Sequence, residues 1–463
     1  PGTPSMIFFK KKKSDVVEPE IDLNALGGTG PENQRREIEA RQIEQIVPTK
    51  ELLYDALVKR ADKIMLDFTR DAVAGQYMID GHWHSIEVRD RATGDGMLAV
   101  LKTLGGLKVE ERRARQEGKF QIEHQLTKAK FVGTLTSQGV KTGERAIIDL
   151  VAKKRKDFKT LDELGMREQM QQRLLEHLRA PQGLVLIAAP PGNGFTTTWN
   201  VSLRSTDRML RDFLGVEDKG KHETDVENVN IHTFDGAAGV TPDTLLPKLM
   251  LTQPEVVVFS DLCNGATVNK LCEYANDPRE GKLVIAGVRA QDACEALLRV
   301  LLLKATAKEF AKAVRAVLCV RLVRKLNDTC KQPYTPPPQL LAKLGIPAGR
   351  VKVLYKEWTP PPPPTPEEEK EIKKRKAKLP PTACPLCEQE GALCHGIGYR
   401  GRTGIFELLD VNDQIRDALV KEPKLDVLRK IARASGHLSL QEEGILLVAQ
   451  GLTSLTELQR VLK

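Results

Sequence analysis

The residues with the most chemical content follow a short apolar run, Leu184-Val-Leu-Ile187. After it come Ala189-Pro-Pro-Gly192-Asn193-Gly194-Phe195-Thr196-Thr197-Thr198-Trp199 and a helical pattern. A strand, a glycine-bearing loop and a Thr-rich helix start form the setting of a phosphate-binding P-loop. There, backbone N–H groups and the helix dipole cradle phosphate oxygens, a Thr hydroxyl reaches Mg²⁺ and a Lys holds the outer phosphates. Gly192, Gly194 and Thr196 fit, but Ala189 stands at the first glycine and Phe195 at the lysine. Phe supplies no charge, and its ring is expected where phosphate oxygens belong. Taken alone, an ordinary strand–turn–helix connection accounts for the loop at least as well. A second candidate is Cys384-Pro-Leu-Cys387, which has the C-x-x-C spacing of a metal knuckle, with Cys394 downstream and Cys330 upstream.

These residues sit in a chain of 463 residues, 41% hydrophobic and 29% charged, with a formal net charge of +9. That composition excludes wholesale disorder, and the length predicts roughly two to four domains. The mildly basic balance selects neither nucleic acid nor anionic lipid as a partner. The longest apolar stretch, Leu184 to Ala189, is far below the roughly 20 residues of a membrane span. Pro1 to Ser5 reads as an expression scar. The start Met6-Ile-Phe-Phe before Lys10 to Lys13 reverses the order of a signal peptide. Eight cysteines, without an export signal, are expected to be reduced thiols or metal ligands, and the chain is expected to be soluble and intracellular.

Residues 1–30 are polar and Gly/Pro-interrupted, read as a mobile tail. Residues 31–152 read as an α+β domain. A helix spans Asn33 to Val47, Thr49 caps a second from Leu52 to about Ala61, and strand-like runs include a hairpin turning at Asp80-Gly81. Residues 160–328 alternate helices with wholly apolar runs (Leu184–Ile187, Val256–Phe259, Leu283–Ala286), predicting an α/β core with a covered parallel sheet. Residues 329–400 carry a Pro-rich insert and the cysteines, and 401–463 read as a C-terminal helical region, with three or four short amphipathic helices from Asp410 to Lys463. The basic runs Lys153–Lys156 and Lys373–Lys378 lack interleaved aromatics, so solvated linker charge explains them better than nucleic-acid binding.

Several longer segments resemble the assembly ATPases of type II secretion and type IV pilus machines. Leu101-Lys-Thr-Leu-Gly-Gly-Leu-Lys-Val-Glu-Glu111-Arg112-Arg113-Ala-Arg-Gln116-Glu-Gly118 is similar to that family's "LK..agLdi.ErR.pQdG" segment. Cys394-His-Gly396-Ile-Gly398-Tyr399-Arg-Gly401-Arg402-Thr-Gly404-Ile-Phe-Glu407 follows its "C.GtGY.GR.GifEll" signature. The resemblance runs from about Glu51 to the C-terminus. It implies a RecA-like P-loop NTPase core preceded by a smaller α+β domain, with a cysteine-bearing zinc lobe and the C-terminal helical region.

Carried over residue by residue, the family's catalytic parts are depleted. Asp261 stands at the catalytic Glu and Cys263 at an Arg of the Walker B segment. Arg289 replaces the His-box histidine, Pro247 an Arg, and Gln76 and Met78 two Args of the hairpin. Glu217 and Asp218 resemble the Asp-box pair, and Arg112, Arg113 and Gln116 remain. The residues assigned to nucleotide are therefore Gly192, Asn193, Gly194, Phe195, Thr196, Thr197, Arg112, Arg113 and Arg289, with Asp261 (degenerate) and Glu217 as the catalytic acids. Phosphoryl transfer rests on positioned positive charge and an oriented water, so joint loss of these groups implies a non-hydrolysing subunit with weak or absent ATP, ADP and Mg²⁺ binding. The alternative is an active motor whose charge comes from Lys219, Lys221 or Arg289.

The family's four-cysteine zinc lobe is also altered. Asn327 stands where one cysteine is expected and Gly391 where another is. Cys384 and Cys387 then complete a structural Zn²⁺ set with Cys330 and Cys394, with His395 in reserve. Cys263, Cys272, Cys294 and Cys319 read as small buried residues. The resemblance further implies a homo- or hetero-oligomeric ring, hexameric by likeness, peripheral to the inner membrane in the cytoplasm. Its partners would be inner-membrane platform proteins and an active ATPase paralogue.

Overall fold

A computed structural model describes residues 19–153, 157–347, 349–361, 384–390, 394 and 396–463. The chain divides into two compact units, Pro1–Lys156 and Asp157–Lys463.

In the first unit the order is β1 (Ile21–Ala25), α1 (Gly30–Gln42), α2 (Ile46–Val58), β2 (Ala61–Phe68), β3 (Ala72–Ile79), β4 (His82–Ser85), β5 (Arg89–Asp90), α3 (Arg91–Leu104), β6 (Gln116–His124), β7 (Lys130–Val140) and β8 (Gly143–Ala152). These strands make one sheet in the order β1-β6-β7-β8-β2-β3-β4, with β5 on β3. All of its pairings are antiparallel. Alternation explains the sheet: Ile64, Leu66 and Phe68 turn inward on β2 while the residues between them stay half-exposed. Asp80 and Gly81 both take positive φ, as the tight β3–β4 hairpin requires.

Three expectations fail in this unit. The pattern over Asn33 to Val47 is not one helix: α1 ends at Gln42 and α2 begins at Ile46. Residues 21–25 are no tail: Ile21, Leu23 and Ala25 are buried, and β1 pairs along β6. Thr49 caps nothing, since it lies inside α2 with its hydroxyl donating to the Gln45 carbonyl. The helix starts earlier because Pro48 falls in its first turn, where a missing N–H costs no hydrogen bond.

The second unit runs α4 (Glu168–Leu178), β9 (Gly183–Ala188), α5 (Phe195–Arg204), β10 (Phe213–Asp218), β11 (Val229–Phe234), α6 (Pro242–Leu249), β12 (Val256–Phe259), α7 (Gly265–Asn276), β13 (Leu283–Val288), α8 (Ala293–Leu302), α9 (Ala307–Ala313) and β14 (Val314–Leu326). It continues with β15 (Gln332–Tyr334), α10 (Pro338–Lys343), β16 (Leu354–Lys356), α11 (Pro385–Glu390), β17 (Tyr399–Asp410), α12 (Asp413–Lys421), α13 (Leu425–Ala434), α14 (Leu440–Ala449) and α15 (Leu455–Leu462). The main sheet has the order β11-β10-β12-β13-β9-β14-β17. Strands β9, β12 and β13 are buried along their whole length, as expected of a sheet covered on both faces.

The sheet is parallel except at one edge, where β17 runs antiparallel to β14 from Ala316↔Asp410 onward. Residues 401–410 are accordingly strand rather than helix, while the short helices expected from Asp410 to Lys463 are present as α12 to α15. β17 belongs to the core sheet, and Leu419, Leu428, Val448 and Leu458 of the last four helices share one apolar cluster with Val257, Val284 and Val317. Glu457 on α15 fastens this end. Its carboxylate accepts from Arg324 of β14 at 2.7 Å and from Arg460 at 2.7 Å, and the Arg324 guanidinium lies 4.2 Å from the Tyr399 ring centre. Burial works to raise the Glu457 pKa, but the two guanidinium groups outweigh it and hold the carboxyl at about 2. No described helix is long and apolar enough to cross a membrane.

Candidate functional site

In an open parallel sheet the strands' carboxyl ends face the crevice where ligands bind. Here β9, β10, β12 and β13 deliver to that edge the loop at Gly192–Phe195, the pair Glu217-Asp218, Asp261 and Arg289. Gly192 and Gly194 take φ of +75° and +84°, which lets the chain turn sharply from β9 into α5. The first helical bond of α5 is Thr198 N–H to the Gly194 carbonyl, so the N–H groups of Phe195, Thr196 and Thr197 precede it. Asn193 is spent on the loop: its amide donates to the Pro191 carbonyl at 3.1 Å and accepts from the Leu322 N–H at 3.2 Å.

Phe195 does not stand in the cradle. It is 3% exposed, stacks on Trp199 with ring centres 5.5 Å apart, and belongs to the core cluster of Val185, Ile187, Val258 and Ile285. A Cβ built on Gly287 of β13 would lie 2.6 Å from its ring, so the ring presses against that bare backbone. The expectation that the ring fills phosphate space is therefore corrected: an apolar side chain beside a sheet gains more by burial than by facing water. A cation nonetheless lies beside the loop. The Arg289 guanidinium stacks 3.9 Å from the Phe195 ring centre.

That cation is engaged. Arg289 Nη2 meets Glu223 Oε1 at 2.6 Å, and the other Glu223 oxygen accepts from Thr196 Oγ1. Asp261 is engaged likewise, by Lys221 Nζ at 2.8 Å, and this hydrogen bond holds the Lys221 pKa above its usual value. Glu217 is buried and structural. Its carboxylate accepts from the Thr224 N–H at 2.9 Å, the Thr224 hydroxyl and the Glu223 N–H at 3.3 Å, with His222 Nδ1 at 2.9 Å. It shapes the turn after β10, and no oxygen is left to orient a water. Beside it a cavity of 270 Å³ opens, bordered by Asp218, Lys221, Ser260, Asp261 and Asn264.

Arg112 and Arg113 lie in the first unit, between α3 and β6. Arg112 faces Asp95 at 3.5 Å and is half-exposed. Their loop is anchored by a buried pair, Lys102 Nζ to Glu144 at 2.6 Å, in which the same ammonium donates to the Glu111 carbonyl at 2.6 Å. Glu223 was missed by sequence reasoning. It lies 27 residues from Thr196, and no local pattern marks the turn that brings them together.

The second candidate site is a metal centre. The Sγ atoms of Cys330, Cys384, Cys387 and Cys394 all lie within 4.8 Å of one another, and each residue is at most 3% exposed. Tetrahedral zinc at about 2.3 Å from each sulfur needs sulfurs about 3.8 Å apart, so the cluster fits after a small contraction. A buried all-thiolate donor set also suits a soft or borderline cation. Asn327 supports it. Its carbonyl accepts from the Cys330 N–H at 3.1 Å, and its amide donates to Cys387 Sγ at 3.1 Å. Burial opposes ionisation of Cys384, yet N–H groups of Cys387 and Leu386 bring its pKa below the usual thiol value. His395 and Gly391, weighed with this set, lie outside the described residues, as do Lys154–Lys156 and Lys373–Lys378. Cys272, Cys294 and Cys319 are buried as expected, but Cys263 is exposed beside Asp261.

The profile of the family described as "Type II/IV secretion system protein" matches residues 37–460. The type IV pilus assembly ATPase PilB of Thermus thermophilus is 26% identical over 410 residues, 88% of this chain and 42% of that protein. Type II secretion system protein E of Pseudomonas aeruginosa is 26% identical over 445 residues, 95% of this chain and 80% of that protein. This chain thus spans less than half the length of the Thermus relative. Among solved structures, the ATPase DotB of Legionella pneumophila superposes with a TM-score of 0.53 at 10% identity, covering 90% of this chain and 95% of that one. That likeness concerns the fold alone.

Proposed function

Since the chain belongs to the type II/IV secretion system protein family, we propose that it is a non-hydrolysing subunit of a type II secretion or type IV pilus-type assembly machine. It joins or forms a ring, at the cytoplasmic face of an inner membrane, and acts there as scaffold or regulator beside an active relative. One observation carries the reading: three charged side chains at the sheet's carboxyl edge on which phosphoryl transfer would depend are engaged internally. Asp261 is paired with Lys221, Arg289 with Glu223, and Glu217 with its own turn. Loss of a single oriented donor commonly costs roughly 10²- to 10³-fold in rate, and here the lysine, the catalytic Glu and the His-box histidine are changed together.

The four cysteines would hold a structural zinc, which would tie the segment around Cys384–Cys394 to the end of β14. An active motor is the second reading, and Arg289 over Phe195 is the observation in its favour, because it returns a cation to the P-loop. Steady-state ATP turnover by the purified chain, alone and mixed with an active relative, separates the two. No turnover alone, with altered turnover of the relative on mixing, is expected.

A further inference from the structure

We propose that Glu223 is a built-in anion of the P-loop, a residue that determines whether an external polyphosphate can enter. This rests on the preceding reading of the crevice as nucleotide-facing, but not on whether hydrolysis occurs. The carboxylate bridges two groups of opposite origin. One oxygen is 2.6 Å from Arg289 Nη2, on the segment after β13, and the other accepts from Thr196 Oγ1, in the first turn of α5. In a P-loop this hydroxyl and an adjacent cation serve the ligand's phosphates and their metal. Here both are committed to a side chain of the same protein.

The backbone of Glu223 is fixed, which makes the bridge specific. Its N–H donates to Glu217 at 3.3 Å, and its carbonyl accepts from Asn200 Nδ2 at 2.9 Å. Asn200 sits one turn further along α5 and also donates to the Thr196 carbonyl at 2.9 Å. On the other side, Arg289 is oriented by its stack on the buried Phe195 ring. The two partners are thus held by packed elements, and the carboxylate spans between them on a side chain with rotatable bonds. A phosphate approaching Thr196 and Arg289 meets a carboxylate of its own sign, and must displace it before either group is released. Neutralising Glu223 would remove the repulsion and leave Arg289 unpaired for the ligand.

The test is equilibrium binding of ADP to the full chain by titration calorimetry, with Glu223→Gln, Glu223→Asp and the double variant Glu223→Gln/Arg289→Gln. Thermal unfolding of each is recorded to establish that it is folded. Glu223→Gln is expected to bind ADP at least tenfold more tightly than the parent. Glu223→Asp, which keeps the charge but shortens the reach, should gain less, and the double variant should lose the gain. Tighter ADP binding, with no ATP turnover by the parent in the separate steady-state assay, supports both this inference and the non-hydrolysing reading. Tighter ADP binding, with ATP turnover by the parent in that assay, upholds the inference and defeats that reading. ADP affinity that is unchanged or lower in folded Glu223→Gln overturns the inference while leaving the non-hydrolysing reading intact.

Discussion

The guanidinium of Arg289 lies 3.9 Å from the centre of the Phe195 ring, over the residue that starts α5. The Phe195 ring is part of the core, and the Arg289 guanidinium covers it. A substitution Phe195→Lys therefore does more than return a missing charge. It removes a buried aromatic, which commonly costs about 3–5 kcal/mol, and sends an ammonium toward Trp199 and Arg289. We expect a clearly lower melting temperature and no ATP turnover; a variant as stable as the parent would contradict the buried placement.

The cysteine cluster predicts one tightly held zinc per chain, measured by elemental analysis and by thiol titration before and after chelation. Asn327→Asp replaces an N–H donor to Cys387 with a carboxylate beside thiolate. Loss of an outer-shell partner of this kind commonly lowers metal affinity roughly 10- to 100-fold. Competition against a chromophoric chelator reads this directly, and equal affinity in the two proteins would remove Asn327 from the site.

Lys102 and Glu144 are 1% and 2% exposed and bonded to each other. Removing one member of such a pair leaves a buried charge unmatched and costs about 3–5 kcal/mol. Lys102→Met should lower stability by that order in denaturant titration, and should loosen the loop carrying Arg112 and Arg113, because the Glu111 carbonyl loses one of its two donors and keeps only Gln116 Nε2 at 3.0 Å. Faster amide exchange in residues 108–116 is the accompanying readout.

Glu457 gives a pH dependence with a defined sign. Its folded pKa is about 2 against an ordinary 4.5, so the stability it contributes is present above about pH 4.5 and is lost as pH falls toward 2. The contribution is on the order of 3 kcal/mol. Glu457→Gln should therefore flatten part of the acid limb of the stability profile, and an unaltered acid limb would show that the Arg324–Glu457–Arg460 network contributes nothing there.

Much of the core was legible because its strands are apolar runs between helical patterns: Val256–Phe259 is a strand over those four residues. The cysteine set was legible in the same way, since a C-x-x-C pair and two outlying cysteines are a local signal. β1 was not, although Ile21, Leu23 and Ala25 alternate, because a strand so short is only recognisable once β6 is present to pair with it. β17 escaped because its glycines and arginines break the apolar alternation of a strand at its start, while its pairing with β14 is long-range. The candidate crevice was half legible. Its loop could be located from glycine spacing and a strand, but the destinations of Phe195 and Glu223 depend on Gly287 and Arg289, which only the folded sheet brings near.

The central claim is that the crevice does not hydrolyse ATP, and steady-state phosphate release by the purified full chain with Mg²⁺ and ATP tests it most directly. Asp261→Ala prepared in parallel serves as the background. The account predicts that parent and Asp261→Ala release phosphate at the same residual rate, set by contaminants, at any ATP concentration. Magnesium-dependent turnover by the parent that saturates with ATP and disappears in Asp261→Ala would contradict it, and would make Arg289 the cation of an active P-loop.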